Sequence, residues 1–334
     1  MDHFRRLPGE LRERLRPAPH PGWISPMLAT LTDRRFSDPG WVYERKLDGQ
    51  RCLAFRSGRQ VRLLTRSRQP LDGTYPEVAD ALAAQAVDDI VVDGEIVAFE
   101  GGRTSFARLQ QRLGIADPER ARRSPVRVHF YVFDLLHLDG CDTTRLPLRT
   151  RKALLRDALT FRTPLRYTAH RNTDGDAYLA EACEKGWEGL IAKRADAPYV
   201  SKRSTDWLKL KCSARQELVI GGFTEPAGSR VGLGALLVGY YDSGDLVYAG
   251  KVGTGYTRSV LRDLRSRLDR LEVGEPPFDR GDPPRRGVHW VPPELVAEIA
   301  FTEWTTDGKL RHPRFEGLRT DKPAGEVTRE RPRP

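Results

Sequence analysis

Short runs of alternating apolar and polar residues predict a chain rich in β-strands. Two strands are predicted around a charged turn, WVYER at 41–45 and RCLAFRSGRQVRLLT at 51–65, with a hairpin turn at Ser57-Gly58. DDIVVDGEIVAF at 88–99 is interpreted as two short strands around Asp93-Gly94. VRVHFYVFDLLHLDG at 126–140 is interpreted as a buried strand that ends in a turn. EGLIAKR and DWLKLKC predict two more strands.

Apolar residues spaced three and four apart predict helices between these strands. The segments with this spacing are 76–87, 105–114 (closed by Gly114), 146–159 and 174–186. Strands and helices do not alternate regularly, which argues against a doubly wound parallel sheet. The first part of the chain is therefore predicted to be a mixed domain of antiparallel sheets and helices.

The pattern changes after residue 213, where short strands with glycine turns accompany a single helix at 257–271. That pattern is typical of a small barrel such as the OB-fold. We therefore predict an α+β protein of two domains, 1–212 and an OB-fold β-barrel at 213–334. The linker between them is expected at 212–216, and the tail 323–334 is expected to be disordered.

Composition narrows the class of protein. The 334 residues carry a net charge of +10 with a pI near 9.6, which favours polyanionic partners. The four cysteines are far apart and form no CxxC pair, so we expect reduced thiols in a cytoplasmic protein. The chain contains neither an 18-residue apolar run nor a secretory signal, so no membrane association is predicted.

Six short motifs carry the residues of chemical interest. In order they are KLDGQR (46–51), Glu95, YVFDLL (131–136), EGLIAKR (188–194), WLKLK (207–211) and RHPRFEGLRTDK (311–322). Each alone has an ordinary structural interpretation, such as a charged turn or a solvated strand face. The chain has no GxxxxGK[ST] phosphate loop, and GLGALLVG lacks the strand-then-helix setting of a nucleotide loop.

Together, and in this order, the motifs resemble the covalent nucleotidyltransferase superfamily of polynucleotide ligases and mRNA capping enzymes. YERKLDGQR, FDLLHLDG, YAGKVGTG and LRHPRFEGLRTDK are similar to ATP-dependent bacterial DNA ligases of the end-joining type. The resemblance covers roughly 21–322 and implies an ATP-grasp-like adenylation domain followed by an OB-fold domain. Larger members add polymerase and phosphoesterase domains, and the length predicts the stand-alone form.

The resemblance also implies roles for individual residues. Lys46 would be the nucleophile that takes AMP from ATP, and Asp48 and Glu188 would bind Mg²⁺ or Mn²⁺. Arg319, Asp321 and Lys322 would orient the pyrophosphate leaving group, and Arg230, Arg311 and Arg314 would contact DNA. The residues expected around the nucleotide are Glu44, Arg51, Arg66 (or, in its place, Arg68), Glu95, Phe133, Lys193, Lys209 and Lys211.

These residue types suit the implied chemistry. A lysine attacks only as the neutral amine, which burial and neighbouring cations favour. Carboxylates are hard ligands suited to Mg²⁺. Arg45, directly before the nucleophile, has no explanation from the sequence.

The implied substrate is nicked or broken duplex DNA, with a Ku-like end-binding protein and a separate polymerase as partners of a monomeric enzyme. Three alternatives remain open at this point. One is an RNA ligase or capping-type guanylyltransferase, which YAGKVGTG argues against. An NAD-dependent ligase would carry a four-cysteine zinc site, which the cysteine spacing does not provide. A non-catalytic OB-type nucleic-acid-binding protein would leave the ordered Lys, Asp, Glu and Lys-x-Lys residues unexplained.

Overall fold

A computed structural model describes residues 3–226, 228, 231–319 and 322–332. The chain divides into two compact units, one of Met1–Cys212 with Pro332–Pro334 and one of Ser213–Arg331. Within the described part of the chain, no helix has the length and apolar character needed to cross a membrane.

The first unit contains thirteen strands and six helices among its described residues. The strands are β1 (Arg16–Pro17), β2 (Leu28–Leu31), β3 (Trp41–Arg45), β4 (Gln50–Ser57), β5 (Gln60–Leu64), β6 (Asp89–Glu100), β7 (Arg103–Thr104), β8 (Val128–Leu138), β9 (Cys141–Asp142), β10 (Leu165–Tyr167), β11 (His170–Arg171), β12 (Gly189–Arg194) and β13 (Arg203–Lys211). The helices are α1 (Gly9–Arg12), α2 (Pro76–Ala83), α3 (Phe106–Gln110), α4 (Pro118–Arg122), α5 (Leu148–Ala158) and α6 (Gly175–Glu184).

These strands form two sheets. The first has the order β1-β9-β8-β6-β4-β5, with β10 beside β8 and β7 beside β6. The second has the order β11-β3-β12-β13-β2. Most neighbours are antiparallel; β10 and β2 each pair parallel to their neighbours β8 and β13.

Side-chain alternation along the strands builds a layered core. One face of the first sheet packs under α2, α3 and α5, and Leu82 and Leu155 are fully or almost fully buried there. Its other face meets the second sheet through a smaller apolar cluster that includes Phe55, Phe133 and Trp207. The far face of the second sheet is covered by α6. The two inner faces therefore enclose a cleft within the first unit.

Several predicted element boundaries are wrong in this unit. Residues 88–99 do not form two strands, because β6 runs unbroken through Asp93-Gly94 with a shift in its register against β8. YVFDLL does not lie at a strand end, since β8 continues to Leu138. The Asp93 carboxylate points inward because it pairs with Arg51 and Tyr199, which are distant in the chain. Local sequence does not contain these partners, so it could not show that Asp93-Gly94 lies within a continuous strand. The helix expected over 105–114 is also shorter, ending at Gln110.

The described residues of the second unit form a β-structure with one α-helix and a short 3-10 helix. Its elements are β14 (Ala214–Thr224), β15 (Leu236–Asp242), β16 (Asp245–Val252), α7 (Arg258–Asp269), β17 (Val288–Trp290), β18 (Val296–Phe301), β19 (Arg314–Arg319) and a 3-10 helix (Ala324–Glu326). The sheet order is β16-β15-β14-β18-β19, with β17 beside β14. Leu261, Leu264 and Leu268 line the buried side of α7 and join one core with the strands.

The expected disorder of the tail is wrong for its described residues. Val327 is fully buried in the core of the second unit, and its carbonyl accepts a hydrogen bond from the Tyr241 N–H at 2.7 Å. The Gln216 side-chain amide donates a hydrogen bond to the Thr328 carbonyl and accepts one from the Glu330 N–H. The polar composition of 323–334 concealed this single apolar anchor.

The expectation of reduced thiols is also wrong for one pair. Cys183 on α6 and Cys212, directly after β13, form a disulfide with a Cα–Cα distance of 5.2 Å. They are 29 residues apart in sequence and meet because α6 packs on the second sheet. Cys52 and Cys141 are free.

Candidate active site

Lys46 lies where β3 leaves the second sheet. Its backbone N–H still donates to the Gly189 carbonyl of the neighbouring strand at 2.9 Å, which fixes the backbone at this point. Its ammonium Nζ lies 2.6 Å from Oε1 of Glu188, a carboxylate that is 7% exposed. The pairing with this carboxylate fixes the direction in which the Lys46 side chain points.

The turn after Lys46 is shaped by a close backbone approach. A Cβ on Gly49 would lie 2.3 Å from the Ile96 carbonyl oxygen, so no larger residue fits between β3 and β4. The Asp48 carboxylate accepts a hydrogen bond from the Phe106 N–H at 3.2 Å, and the Asp48 backbone N–H donates to the Thr104 hydroxyl. The KxDG motif therefore holds the Asp48 carboxylate in place close to Lys46 in the chain.

Two further lysines share the inner face of the second sheet. Lys209 and Lys211 alternate with buried Leu210 on β13, so both project to the same side. In the register of β12 and β13, Lys211 lies opposite Gly189 and Lys209 opposite Ile191. Gly189 has φ +143°, and a Cβ there would lie 2.0 Å from the Leu210 carbonyl oxygen, which explains the glycine after Glu188.

Arg45 is turned away from this face. Its guanidinium stacks over the Trp187 ring at 4.4 Å, and its Nη2 donates to Thr104 at 3.4 Å. Burial lowers the pKa of Arg45. The cation before Lys46 thus packs against an aromatic ring on the opposite side of β3 from Glu44.

The inner face of the first sheet carries a buried ion pair. The Arg51 guanidinium donates through Nε and Nη2 to the two Asp93 carboxylate oxygens, both at 2.5 Å, and to the Met27 carbonyl at 3.2 Å. Tyr199 donates its hydroxyl to the same carboxylate at 2.7 Å. Burial alone would lower the pKa of Arg51, but the charge and hydrogen bonds of Asp93 raise it overall. Arg51 is therefore a fixed cation on the cleft wall.

A second buried network surrounds Glu44. Its carboxylate pairs with Lys152 of α5 and, at 2.7 Å, with Lys193 of β12, and all three side chains are at most 2% exposed. Burial alone would raise the pKa of Glu44, but the charges of the two lysines outweigh burial and lower it. Burial lowers the pKa of Lys193 and is only partly opposed by Glu44. The Lys193 ammonium lies 4.1 Å from the ring centroids of both Phe133 and Trp207.

Aromatic rings form the floor of the cleft. Phe133 on β8 meets Trp207 on β13 edge to face, with centroids 6.0 Å apart, and Arg51 lies over the Phe133 ring at 4.7 Å. Phe133 is 8% exposed. Lys193 and Arg51 both contact this ring, so only a small part of it is exposed.

Glu95, Arg66 and Arg68 lie around the first sheet. Glu95 is on β6 in register with Arg51 and shares a strand face with Asp93. Arg66 is half-buried in the turn after β5. The exposed Arg68 has φ +65° and lies over the Trp23 ring at 5.2 Å. Arg66 is thus the more enclosed of the two alternatives for the ribose contact.

In the second unit, two of the predicted cations gather on one carboxylate. Glu217 on β14 pairs with Lys322 and lies 3.8 Å from Nε of Arg319, and all three side chains are 11–17% exposed. Asp321, between them in the RTDK motif, lies outside the described residues, as does Arg230. The predicted DNA contacts Arg311 and Arg314 are exposed and pair with Glu303 at 2.6 Å and Glu316 at 3.3 Å.

Two models of known protein families match this chain. The model described as "ATP dependent DNA ligase domain" matches residues 26–211, and "ATP dependent DNA ligase C terminal region" matches residues 229–322. The chain belongs to the ATP-dependent DNA ligases. The predicted family resemblance and the two-domain fold class with an OB-fold-type C-terminal domain are therefore confirmed.

Curated relatives include multifunctional proteins and probable ligases. The chain is 41% identical over 322 residues to "Multifunctional non-homologous end joining protein LigD" of Pseudomonas aeruginosa, covering 94% of this chain and 37% of that protein. It is 39% identical to the LigD end joining DNA repair protein of Mycobacterium tuberculosis H37Rv, covering 92% of this chain and 40% of that protein. A "Probable DNA ligase" of Sorangium cellulosum is 34% identical, covering 91% of this chain and 59% of that protein. The chain thus spans about two fifths of the LigD relatives it matches.

A solved relative supports the same assignment. The structure entitled "mycobacterial DNA ligase D complexed with ATP and MES" is 36% identical, with a TM-score of 0.66, over 92% of this chain and 98% of that chain. The match spans both family regions of this ligase.

Several residues that hold the predicted site residues in place were not identified from the sequence. They are the ion-pair partners Asp93, Lys152 and Glu217, together with Tyr199 and Trp207. The one available signal was Asp93 beside Glu95, since alternate residues share a strand face. Asp134 of YVFDLL instead pairs with fully buried Arg151 at 2.7 and 2.9 Å and braces α5.

Proposed function

We propose that this chain seals breaks with a 3′-hydroxyl and a 5′-phosphate in duplex DNA, using ATP in three steps. Lysine adenylylation is followed by transfer of AMP to the DNA 5′-phosphate and by attack of the 3′-hydroxyl. The observation that supports this most strongly is the Lys46 ammonium at a strand end, 2.6 Å from the Glu188 carboxylate. On the same inner face, Lys209 and Lys211 occupy the next strand but one.

In the first step the neutral Lys46 amine attacks the α-phosphorus of ATP. A phosphorus–nitrogen bond forms, the bond to the bridging oxygen of the β-phosphate breaks, and pyrophosphate leaves. Glu188 orients the ammonium and is the nearest carboxylate for its proton, at Oε1. Lys209 and Lys211 bind the α-phosphate and offset charge that develops on it. Arginine could not replace Lys46, because a guanidinium does not lose its proton.

The cleft walls position the nucleotide. Arg51 is locked by Asp93, so its charge is fixed relative to the inner faces before ATP binds. Phe133 contacts the adenine, Glu44 with Lys193 forms the end of the base pocket, and Glu95 with Arg66 contacts the ribose. Buried partners around Glu44 and Arg51 supply the preorganisation that phosphoryl transfer requires.

Asp48 and Glu188 fit a hard divalent cation. Both are carboxylates, the oxygen donors that Mg²⁺ and Mn²⁺ prefer. Glu188 pairs with Lys46, and Asp48 lies two residues after Lys46 with one oxygen fixed by the Phe106 N–H. Bound there, the ion would neutralise charge on the phosphates.

Arg319 and Lys322 serve the same first step from the second unit. Together with Asp321 they orient the pyrophosphate. The linker expected at 212–216 is shorter than predicted, because β13 ends at Lys211 and β14 begins at Ala214. We therefore place the hinge that lets the OB-fold-type domain approach and withdraw at residues 212–213. Arg230, Arg311 and Arg314 contact the DNA backbone in the later steps.

A biological setting is also part of the proposal. We place the chain in the cytoplasm as a monomeric ligase of non-homologous end joining, working with a Ku-like end-binding protein and a separate polymerase. The printed names of the LigD relatives support this setting, and the excess positive charge suits a DNA substrate.

Sealing assays test this function directly. Purified protein with Mg²⁺ should seal a nicked DNA duplex with ATP, and GTP or NAD⁺ should not replace ATP. The same nick built with RNA strands separates an RNA ligase from a DNA ligase. A protein that binds the nick without sealing it would overturn the proposal. Comparing nicks with double-strand breaks, with and without the host's Ku-like protein, then tests the end-joining assignment.

A further inference from the structure

A cluster of metal-ligating side chains lies in the first unit, apart from Lys46 and its neighbours. His20 Nδ1 lies 2.7 Å from one Asp89 carboxylate oxygen, and His137 Nε2 lies 3.1 Å from the other. The three ligand atoms are all within 4.8 Å of one another. They come from three separate segments, namely the chain before β2, the first residue of β6 and the end of β8.

The backbone orients this cluster. The Gly140 N–H donates to the Asp89 carboxylate at 2.7 Å, and the Asp139 N–H donates to the Asp89 carbonyl at 2.9 Å. His3 lies 3.7 Å from the Asp139 carboxylate. Three of the seven histidines of the chain, His3, His20 and His137, therefore lie close to Asp89 or Asp139. The Gly140 N–H is an outer donor of the kind that orients a metal-ligating carboxylate.

Exposure also suits a bound ion. His137 is 2% exposed and forms the inner side, whereas His20 and Asp89 are 17% and 29% exposed. The open side gives an ion a path from solvent and leaves room for a water ligand. Two imidazoles and one carboxylate, without a thiolate, are a donor set that Zn²⁺ binds, with water as the fourth ligand.

We propose that His20, Asp89 and His137 bind one Zn²⁺, which fastens the segment 18–27, between β1 and β2, to the first sheet. The inference goes beyond the ligase activity. Beyond His20, this segment packs through Trp23 on Phe55, with ring centroids 6.2 Å apart. It ends at Met27, whose carbonyl accepts from Arg51 at 3.2 Å. A metal at His20 thus stabilises a segment that also supports the cation on the cleft wall.

Zinc titration of tag-free, metal-stripped protein by calorimetry tests the site. Excess Mg²⁺ is present throughout, so that hard oxygen sites such as Asp48 and Glu188 are occupied. Wild type should bind one Zn²⁺ per chain. His20→Ala, a change in a partly exposed loop residue, should weaken binding by more than about 10-fold, the lower end of the loss expected for an outer-shell partner. His312→Ala, which removes an exposed histidine of the second unit, is the matched control and should bind as wild type does.

Two further measurements separate this site from adventitious binding. Zinc should raise the midpoint of thermal unfolding of wild type but not of His20→Ala, because only a ligand bound to the folded state stabilises it. Glu188→Gln should retain the zinc stoichiometry even where ligase activity is lost. The proposal is overturned if wild type takes up no zinc, or if His20→Ala and His137→Gln both bind it with wild-type affinity.

Discussion

Carboxylates hold pairs of cations in both units, but at very different depths. In the first unit Glu44 binds Lys152 and Lys193 with all three side chains at most 2% exposed. In the second unit Glu217 binds Arg319 and Lys322 with exposures of 11–17%. Removing one member of a buried pair leaves an uncompensated charge, whereas water stabilises the members of a more exposed pair. We infer that the Glu44 network fixes the cleft, while Glu217 holds two cations that a phosphate can take over.

The largest expected effect concerns the buried network. Glu44→Ala should lower the free energy of unfolding by about 3–5 kcal/mol, because two buried lysines lose their counter-charge. Glu181→Ala is the matched control, since Glu181 also pairs with two cations, Arg171 and Lys185, but on the surface. It should cost far less than Glu44→Ala, because water screens the charges of an exposed pair. Urea denaturation measures both, and equal losses would contradict the comparison.

The next effect separates the chemical steps. Arg319→Ala and Lys322→Ala should each slow self-adenylylation about 100-fold, as expected when a group that stabilises developing charge is removed. Sealing of a pre-adenylylated nick should change far less, because no pyrophosphate leaves in that step. Arg311→Ala should behave in the opposite way, sparing self-adenylylation. If the first two variants lose both activities equally, their separate role in the first step is wrong.

A pH dependence should arise from the same buried network. His170 lies opposite Glu44 on β11, and burial together with the Lys152 charge lowers its pKa to about 4. Its unfolded pKa is about 6.5, so the unfolded state binds more protons between these values. Stability contributed by neutral His170 is present above pH 6.5 and lost as the pH falls towards 4. His170→Asn should show a shallower loss of unfolding free energy across this window, and an unchanged slope would exclude His170 as the cause.

The smallest effect tests the second unit. Glu217→Gln should lower the free energy of unfolding by only about 1 kcal/mol, because its partners are partly solvated. Self-adenylylation should be no slower than in wild type, since the cations no longer need to leave a carboxylate. A destabilisation as large as that of Glu44→Ala would show that the two pairs are alike after all.

The sequence could predict what local patterns encode. Alternation placed β3 at WVYER, and the ordered motifs identified Lys46, Asp48 and Glu188 as candidates. Partners far apart in sequence could not be predicted, because they depend on which strands and helices become neighbours. Lys152 reaches Glu44 only because α5 packs on the first sheet, and Cys183 reaches Cys212 only because α6 packs on the second sheet. Asp93-Gly94 looked like a turn for the same reason, since Arg51 lies 42 residues away.

The position of Arg45 could not be predicted from the sequence either. As a second cation before Lys46, it had no explanation from the sequence. Its stacking on Trp187 gives it a packing role. The neighbours that act on Lys46 are those on the inner faces of the cleft.

Intact-mass spectrometry of the protein after incubation with ATP and Mg²⁺ tests the central claim most directly. Wild type should gain one adenylyl group, and peptide mapping should place it on Lys46. Lys46→Ala and Lys46→Arg should gain none, while Arg45→Ala should still be adenylylated. An adduct that persists in Lys46→Ala, or that maps to another lysine of the cleft, would contradict the account.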